Sequence, residues 1–405
     1  MKRILITLLL AFSAIFAEFN QDILTLGNSK QKYILDNVEA DQIIETKSGD
    51  LIDFDGIINN KTDVYVIGES HTSYHCHTFQ RDFIETLFKE NPNIVVGFEF
   101  FNRDHNETLE KWRLSEISEE KLLKETGWYT RKSFNYGYTK MIMDLIQKHQ
   151  IKVIGLNVPR SIMRTVSKQG FDKLAQEQKD FFPTIDVFNP EHEYFIKGIF
   201  GDFAISNPDK FTNIYTAQKC WDVVIAESMR EFLSQKDYKN YKGVIIAGSN
   251  HIAYGLGIPF RYSKAGKEAN ISTIMPIHVP EKEEEVENPM AKMTKKMNPH
   301  GMPAKELKPS SAFSRGIADF VFGAEELKKE YFMDFGTTVK LEEDRIIISK
   351  IAEGSPAEMN GLVKGDEVIS IDDVLIETVE QFYTIIAYKN WDDEIKIEVM
   401  KNINL

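Results

Sequence analysis

Cysteine is nearly absent: Cys76 and Cys220 are the only two thiols in 405 residues. That excludes a disulfide scaffold and leaves room for a single Cys76–Cys220 bridge in an oxidising compartment. No HExxH, GxSxG or CxxC run occurs, so no short signature supports a known catalytic mechanism. An excess of positive charge is missing as well. The net charge is −13, which argues against a nucleic-acid partner, because phosphate binding needs a basic surface. Long apolar runs are confined to the start, where Lys2 and Arg3 precede Ile4 to Phe16 and Ala17 ends the run. A basic start, an apolar run shorter than the roughly 20 residues of a bilayer span and a small residue at the break form the pattern of a secretory signal peptide. The expectation is a leader over 1–17, cleavage near Ala17 and a periplasmic or otherwise exported protein that is soluble once cleaved. No cysteine follows the run to carry a lipid anchor.

What is present is globular: 42% of residues are hydrophobic and 27% charged. The length suits two or three domains of about 100–200 residues each. Between Asp63 and Pro280 short apolar runs alternate with long amphipathic stretches. The runs are Val64–Ile67, Ile94–Phe98, Lys152–Leu156, Val244–Gly248 and Ser272–Ile277. Continuous apolar runs separated by helices predict an α/β fold with a mainly parallel sheet flanked by helices. His77 to Lys89 and Thr216 to Leu233 carry helical periodicity and are expected to pack on the core. The α/β domain is expected over 45–280, with a last strand returning at 312–325. Between them, 281–311 is rich in Glu, Lys, Met and Pro and reads as a linker or excursion too poor in apolar surface to offset chain entropy. Its spaced methionines and His300 could hold Cu(I), although a plain tether is the simpler reading.

The segment 330–402 resembles a bacterial PDZ domain. The resemblance rests on Gly354-Ser355-Pro356-Ala357, Gly361-Leu362 and Lys364-Gly365-Asp366 in order, followed by a helix at Val379–Ala387 and a strand at Ile395–Met400. It implies a small β-rich domain that takes a protein segment as an added strand. The loop for a ligand carboxylate falls at Phe332, Met333, Asp334, Phe335 and Gly336. Asp334 would repel a terminal carboxylate there, which opens the alternative of an internal segment or a neighbouring domain as ligand.

Four expected strands of the α/β domain end on glycine and a polar residue, bringing forward Glu69 with His71, Glu99, Asn157 and His251. Ligands of open parallel sheets bind beyond the carboxyl ends of strands. Each residue also has a plain reading, as a helix cap, a solvated carboxylate or a satisfied core histidine. His77 and Gln80 share a helix face, whereas His75 points elsewhere.

The set Gly68-Glu69-Ser70-His71, His77-Thr78-Phe79-Gln80, Gly97-Phe98-Glu99, Ala217-Gln218 with Trp221-Asp222, and Gly248-Ser249-Asn250-His251 through Tyr254 to Arg261 resembles the ChaN family. The resemblance runs from about Asn60 to Phe322. It implies haem binding in bacterial haem and iron uptake, within a superfamily that includes Tiki metalloproteases and erythromycin-esterase-like hydrolases. The candidate haem residues are His71, His77, His251 and Tyr254, with the aromatic stretch Trp128, Tyr129, Phe134, Tyr136 and Tyr138 as further donors; the axial residue stays open. The enzyme alternative uses Glu69, His71, Glu99 and His251 to hold a divalent metal and activate water, or one histidine as a general base. A third reading is a periplasmic adaptor. A homodimer is compatible with all three.

Overall fold

A computed structural model describes residues 38–401 except 60, 130–134, 184–188, 265–268, 281–315, 328 and 330. The expected leader, the 281–311 linker and Phe134 therefore lie outside the described residues. The strands are β1 (Ile43–Glu45), β2 (Leu51–Ile52), β3 (Val64–Glu69), β4 (Ile94–Asn102), β5 (Lys152–Asn157), β6 (Lys242–Gly248), β7 (Ile271–Pro280) and β8 (Phe320–Glu326), then β9 (Thr337–Glu342), β10 (Arg345–Ile351), β11 (Glu367–Ile371), β12 (Val374–Leu375) and β13 (Ile397–Met400). Five helices carry the argument below: α1 (Tyr74–Glu90), α2 (Glu119–Glu125), α3 (Tyr136–His149), α4 (Pro208–Ser234) and α5 (Val379–Ala387).

The chain divides into two compact units, one formed by residues up to Gly68 with Val158–Glu326, the other by Glu69–Asn157 with Leu327 onward. In the first, strands run in the order β2-β1-β8-β7-β3-β6. β3 pairs with β7 and β7 with β8 in parallel, while β1 closes antiparallel on β8. Parallel strands are buried on both faces, and Val64 to Ile67 of β3 are fully buried accordingly, as are Val244 to Ile246 of β6. The expected return strand is β8, held to β7 along seven residue pairs. The short strands β1 and β2 are not evident in the sequence pattern, because two or three residues carry no periodicity to read.

In the second unit β4 and β5 pair in parallel. α1 begins at the Ser73 cap, whose hydroxyl accepts from the Cys76 amide, and buries Cys76, His77, Gln80, Phe83, Ile84 and Leu87. β4 runs four residues past its expected end, so Glu99 lies inside the strand rather than beyond it. The C-terminal sheet of this unit has the order β12-β11-β10-β9, with β13 on β11. Its core joins Val339, Ile348, Val368, Ile371 and Phe382.

The bridge allowed by the two cysteines is not formed. Both are free, buried thiols, pushed up to about 11 at Cys76 and about 12 at Cys220 by burial. Cys220 is sealed among Val158, Ile162, Met163 and Val224, which gives it no route to a second sulfur.

Candidate functional site

Glu69 closes β3 and its side chain is fully buried. Its Oε1 lies 2.7 Å from His71 Nδ1, and its Oε2 accepts from Gln80 Nε2 at 2.9 Å. Burial pushes this carboxyl up, but the imidazoles of His77 and His71 and the Gln80 amide outweigh it and hold the group below its ordinary value. His77 gives its Nδ1 proton to the Ser73 carbonyl at 2.8 Å. Its Nε2 is buried 3.7 Å from Glu69 Oε2 and has no hydrogen-bond partner. His71, with 43% of its side chain exposed, forms the open side of the cluster. Glu69, His71, His77 and Gln80 are thus brought together. At Glu99 the bond between strand ends is made by its backbone carbonyl, which accepts from Asn157 Nδ2 at 2.9 Å.

His251 is in the first unit, on the 3-10 turn Ser249–His251 that follows β6. Its Nδ1 lies 2.5 Å from Asp222 Oδ1 and 2.8 Å from Gln218 Nε2, both on α4. The carboxylate can only accept there, so the proton sits on Nδ1 and the neighbouring Gln218 NH2 makes no hydrogen bond to that nitrogen; Asp222 thereby orients the ring as a general base is oriented. Asp222 Oδ2 lies 3.4 Å from Arg261 Nη1 and 3.5 Å from His192 Nε2. Arg261 Nη2 donates to His192 Nδ1 at 3.1 Å, and Nη1 donates to the carbonyls of Leu256 and Gly257. Burial pushes His192 down to about 4 against the pull of Asp222, so it is neutral at pH 7.

Asp222 and Arg261 enter the sequence reading only within the set that resembles the ChaN family, not as candidate site residues, and His192 does not enter it. The signal available is a carboxylate directly before Val223-Val224-Ile225-Ala226, an apolar run on a helix where a charge is buried only when paired.

Tyr254 follows in the same unit with φ 58°, in the left-handed region. Such backbone costs a non-glycine residue about 1–3 kcal/mol and persists only where the surroundings impose it. Here the Tyr254 amide donates to the Ile317 carbonyl at 2.6 Å and Phe195 packs edge-on against the ring. At Gly257 an added Cβ would meet the His251 carbonyl at 2.1 Å, so only glycine allows this turn. Tyr254 lines a cavity of about 380 Å³ together with Phe260, Lys264, Ile271, Thr273 and Asp319. That volume lies in the range of small-molecule pockets, roughly 300–1,000 Å³. Burial raises the Tyr254 phenol above its ordinary value.

Three residues of the aromatic stretch proposed as a source of haem donors belong to the core. Trp128, Tyr136 and Tyr138 are fully buried, and Trp128 packs against Phe100, Phe101 and Tyr136. Among the described residues no group of three or more His, Cys, Asp or Glu side chains is arranged to hold a metal ion. The divalent-metal alternative therefore gains no support.

Residues 59–261 match the family model described as haem-binding uptake, Tiki superfamily, ChaN. The chain belongs to the ChaN family. Residues 333–405 match the PDZ domain. Among solved structures, the chain is similar to ChaN of Campylobacter jejuni, described as binding heme cofacially, at 17% identity over 62% of this chain and 95% of that one, with a TM-score of 0.46. An erythromycin esterase mutant in its open conformation is 11% identical over 56% and 74%, with a TM-score of 0.35. A protein of Bacillus cereus is 12% identical over 76% and 97%, with a TM-score of 0.36. No curated protein matches. In this ChaN-family chain, Phe332, Met333 and Phe335 of the expected PDZ ligand loop bury their side chains, Asp334 is exposed and Gly336 is partly exposed.

Proposed function

We propose that this ChaN-family chain binds haem in the Tyr254 cavity, as an exported protein of haem or iron acquisition, and that its PDZ domain serves a protein segment. Membership of a haem-binding family supports the ligand, and one observation supports the place: a phenol held in strained backbone at the wall of a cavity. The lining fits the group. Haem needs an apolar wall, one axial donor and a counter-charge for its acid side chains. Phe260, Pro259 and Ile271 offer the wall, the Tyr254 oxygen the donor and the Lys264 ammonium the counter-charge.

Bound haem would supply a ferric iron, for which an anionic tyrosine oxygen is a known axial ligand. Because burial keeps the Tyr254 phenol protonated, ligation has to displace that proton, and affinity should rise with pH. His71, His77 and His251 are weaker candidates. His77 is closed off from solvent and His251 is held by Asp222, which leaves the half-exposed His71.

The test is a titration of the mature chain with haemin, read at the Soret band. A saturable shift is expected, weakened about tenfold or more in Y254F and less in H71A. Absence of a saturable shift would sink the reading. The Lys2–Ala17 pattern supports export, and mass spectrometry of the secreted protein should find a start at Glu18.

A second reading has one observation in its favour. The 2.5 Å contact between Asp222 and His251 Nδ1 is that of an oriented base, as hydrolases use. Turnover of an activated ester that disappears in H251N would support it, and equal turnover in both proteins would dismiss it.

A further inference from the structure

A PDZ domain binds by adding an extended peptide to the edge of its sheet, where main-chain hydrogen bonds give the affinity. β9 ends the strand order β12-β11-β10-β9, so its outer edge is the one that an added strand would use. In an antiparallel pair alternate residues turn their amides toward or away from the partner. The Val339 amide turns away from β10 and donates to the Tyr383 hydroxyl of α5 at 3.1 Å. In the ligand loop, the Gly336 amide donates to the carboxylate of Asp334 at 2.8 Å, and the Met333 amide donates to the Lys389 carbonyl at 3.0 Å. The edge amide and two loop amides are therefore already satisfied from within the chain.

The same face of this domain is seated on the helices of its own unit. The ring of Tyr129, just after α2, stacks on Tyr383 with centroids 4.7 Å apart. Tyr138 of α3 meets Phe332 edge-on at 4.9 Å. Glu119 of α2 accepts from Tyr388 at 3.1 Å, and Glu120 accepts from Thr378, the cap of α5, at 2.8 Å. α3 passes so close that a Cβ at Gly137 would lie 2.4 Å from the Ala387 carbonyl.

We propose that the PDZ groove of this chain is closed in cis: docking of α5 on the α2–α3 face holds Tyr383 over the β9 edge, and Asp334 takes a loop amide that a ligand carboxylate would need. A peptide strand can enter only by displacing Tyr383, and the docked helices oppose that displacement. The PDZ domain is then an internally held module that is released to capture a partner. This inference does not rest on haem binding and survives the failure of that reading.

The test is residue-resolved amide hydrogen exchange on the full chain by NMR. Y383F removes the hydroxyl and sets the rate of an uncapped Val339 amide. Y129A removes the stacked ring, and G137L forces α3 away from Ala387. Both should raise Val339 exchange about tenfold or more, toward the Y383F rate, as expected for a local opening. The Ile348 amide, bonded to the Asp366 carbonyl, should keep its rate. If G137L also accelerates Ile348, the domain itself has loosened, and the milder Y129A decides. Val339 exchange unchanged in Y129A would overturn the proposal, because Tyr383 would then cap the edge without help from the helices.

Discussion

Glu69 and Asp222 are both fully buried carboxylates with a histidine at hydrogen-bond distance, yet they are built in opposite ways. The partners of Glu69 lie within eleven residues of it in sequence, and its histidine, His71, opens to solvent. Asp222 lies on α4, and its partners come from the helix Pro190–Phe200, the turn after β6 and the segment Ile258–Lys264. They include a buried guanidinium with nowhere to shed its charge. Paired with a titratable group near water, a carboxylate can lose its partner's charge cheaply; paired with arginine, it cannot.

Removal of each carboxylate should therefore give unequal losses. D222A leaves Arg261 charged and buried without its carboxylate partner, and should cost about 3–5 kcal/mol of stability. E69A leaves no buried guanidinium behind, takes the acceptor from the Gln80 amide and the half-exposed His71, and should cost about 1–3 kcal/mol. Urea denaturation followed by circular dichroism measures both. Equal losses would break the contrast, and D222A with R261M should recover part of the D222A loss if the stranded charge is its cause.

The histidines sharpen it further. His192 falls to about 4 in the folded chain from an ordinary 6.5, so between these values the unfolded chain binds the extra proton. Stability from this group is complete above pH 6.5 and is lost as pH falls toward 4. The loss should approach about 3 kcal/mol. H192N cannot titrate, so its stability should fall less steeply over that window. Parallel curves for the two proteins would mean that His192 is not held neutral.

The two carboxylates also differ in how legible their surroundings are in the amino-acid sequence. Val64–Ile67, Ile94–Phe98 and Val244–Gly248 announce buried parallel strands because every residue is apolar or glycine. Glu69, His71, His77 and Gln80 are legible because a strand end and the first turns of a helix put them within reach by local geometry alone. His251 is legible as a strand-end residue, but Asp222, His192 and Arg261 are not. Their meeting depends on how α4 packs, and nothing local in 190–261 encodes that. The overrun of β4 through Asn102 is hidden for a related reason, since Phe98 to Phe101 reads equally as the end of a buried strand or as its continuation.

The smallest expected effect is at Glu69 itself. Although burial pushes its carboxyl up, His77, His71 and Gln80 bring it below the ordinary 4.5, so the unfolded chain takes up this proton first as pH falls. The stability it adds is present above about pH 4.5 and disappears as pH drops through the lowered folded value. E69Q retains a side chain of the same shape without the charge, and near neutral pH it should be about 1.5 kcal/mol less stable than wild type. That gap should narrow below pH 4.5. A gap between E69Q and wild type that stays constant from pH 7 to pH 3 would mean that the imidazoles do not hold the Glu69 carboxylate charged, and the distinction between the two clusters would then rest on Arg261 alone.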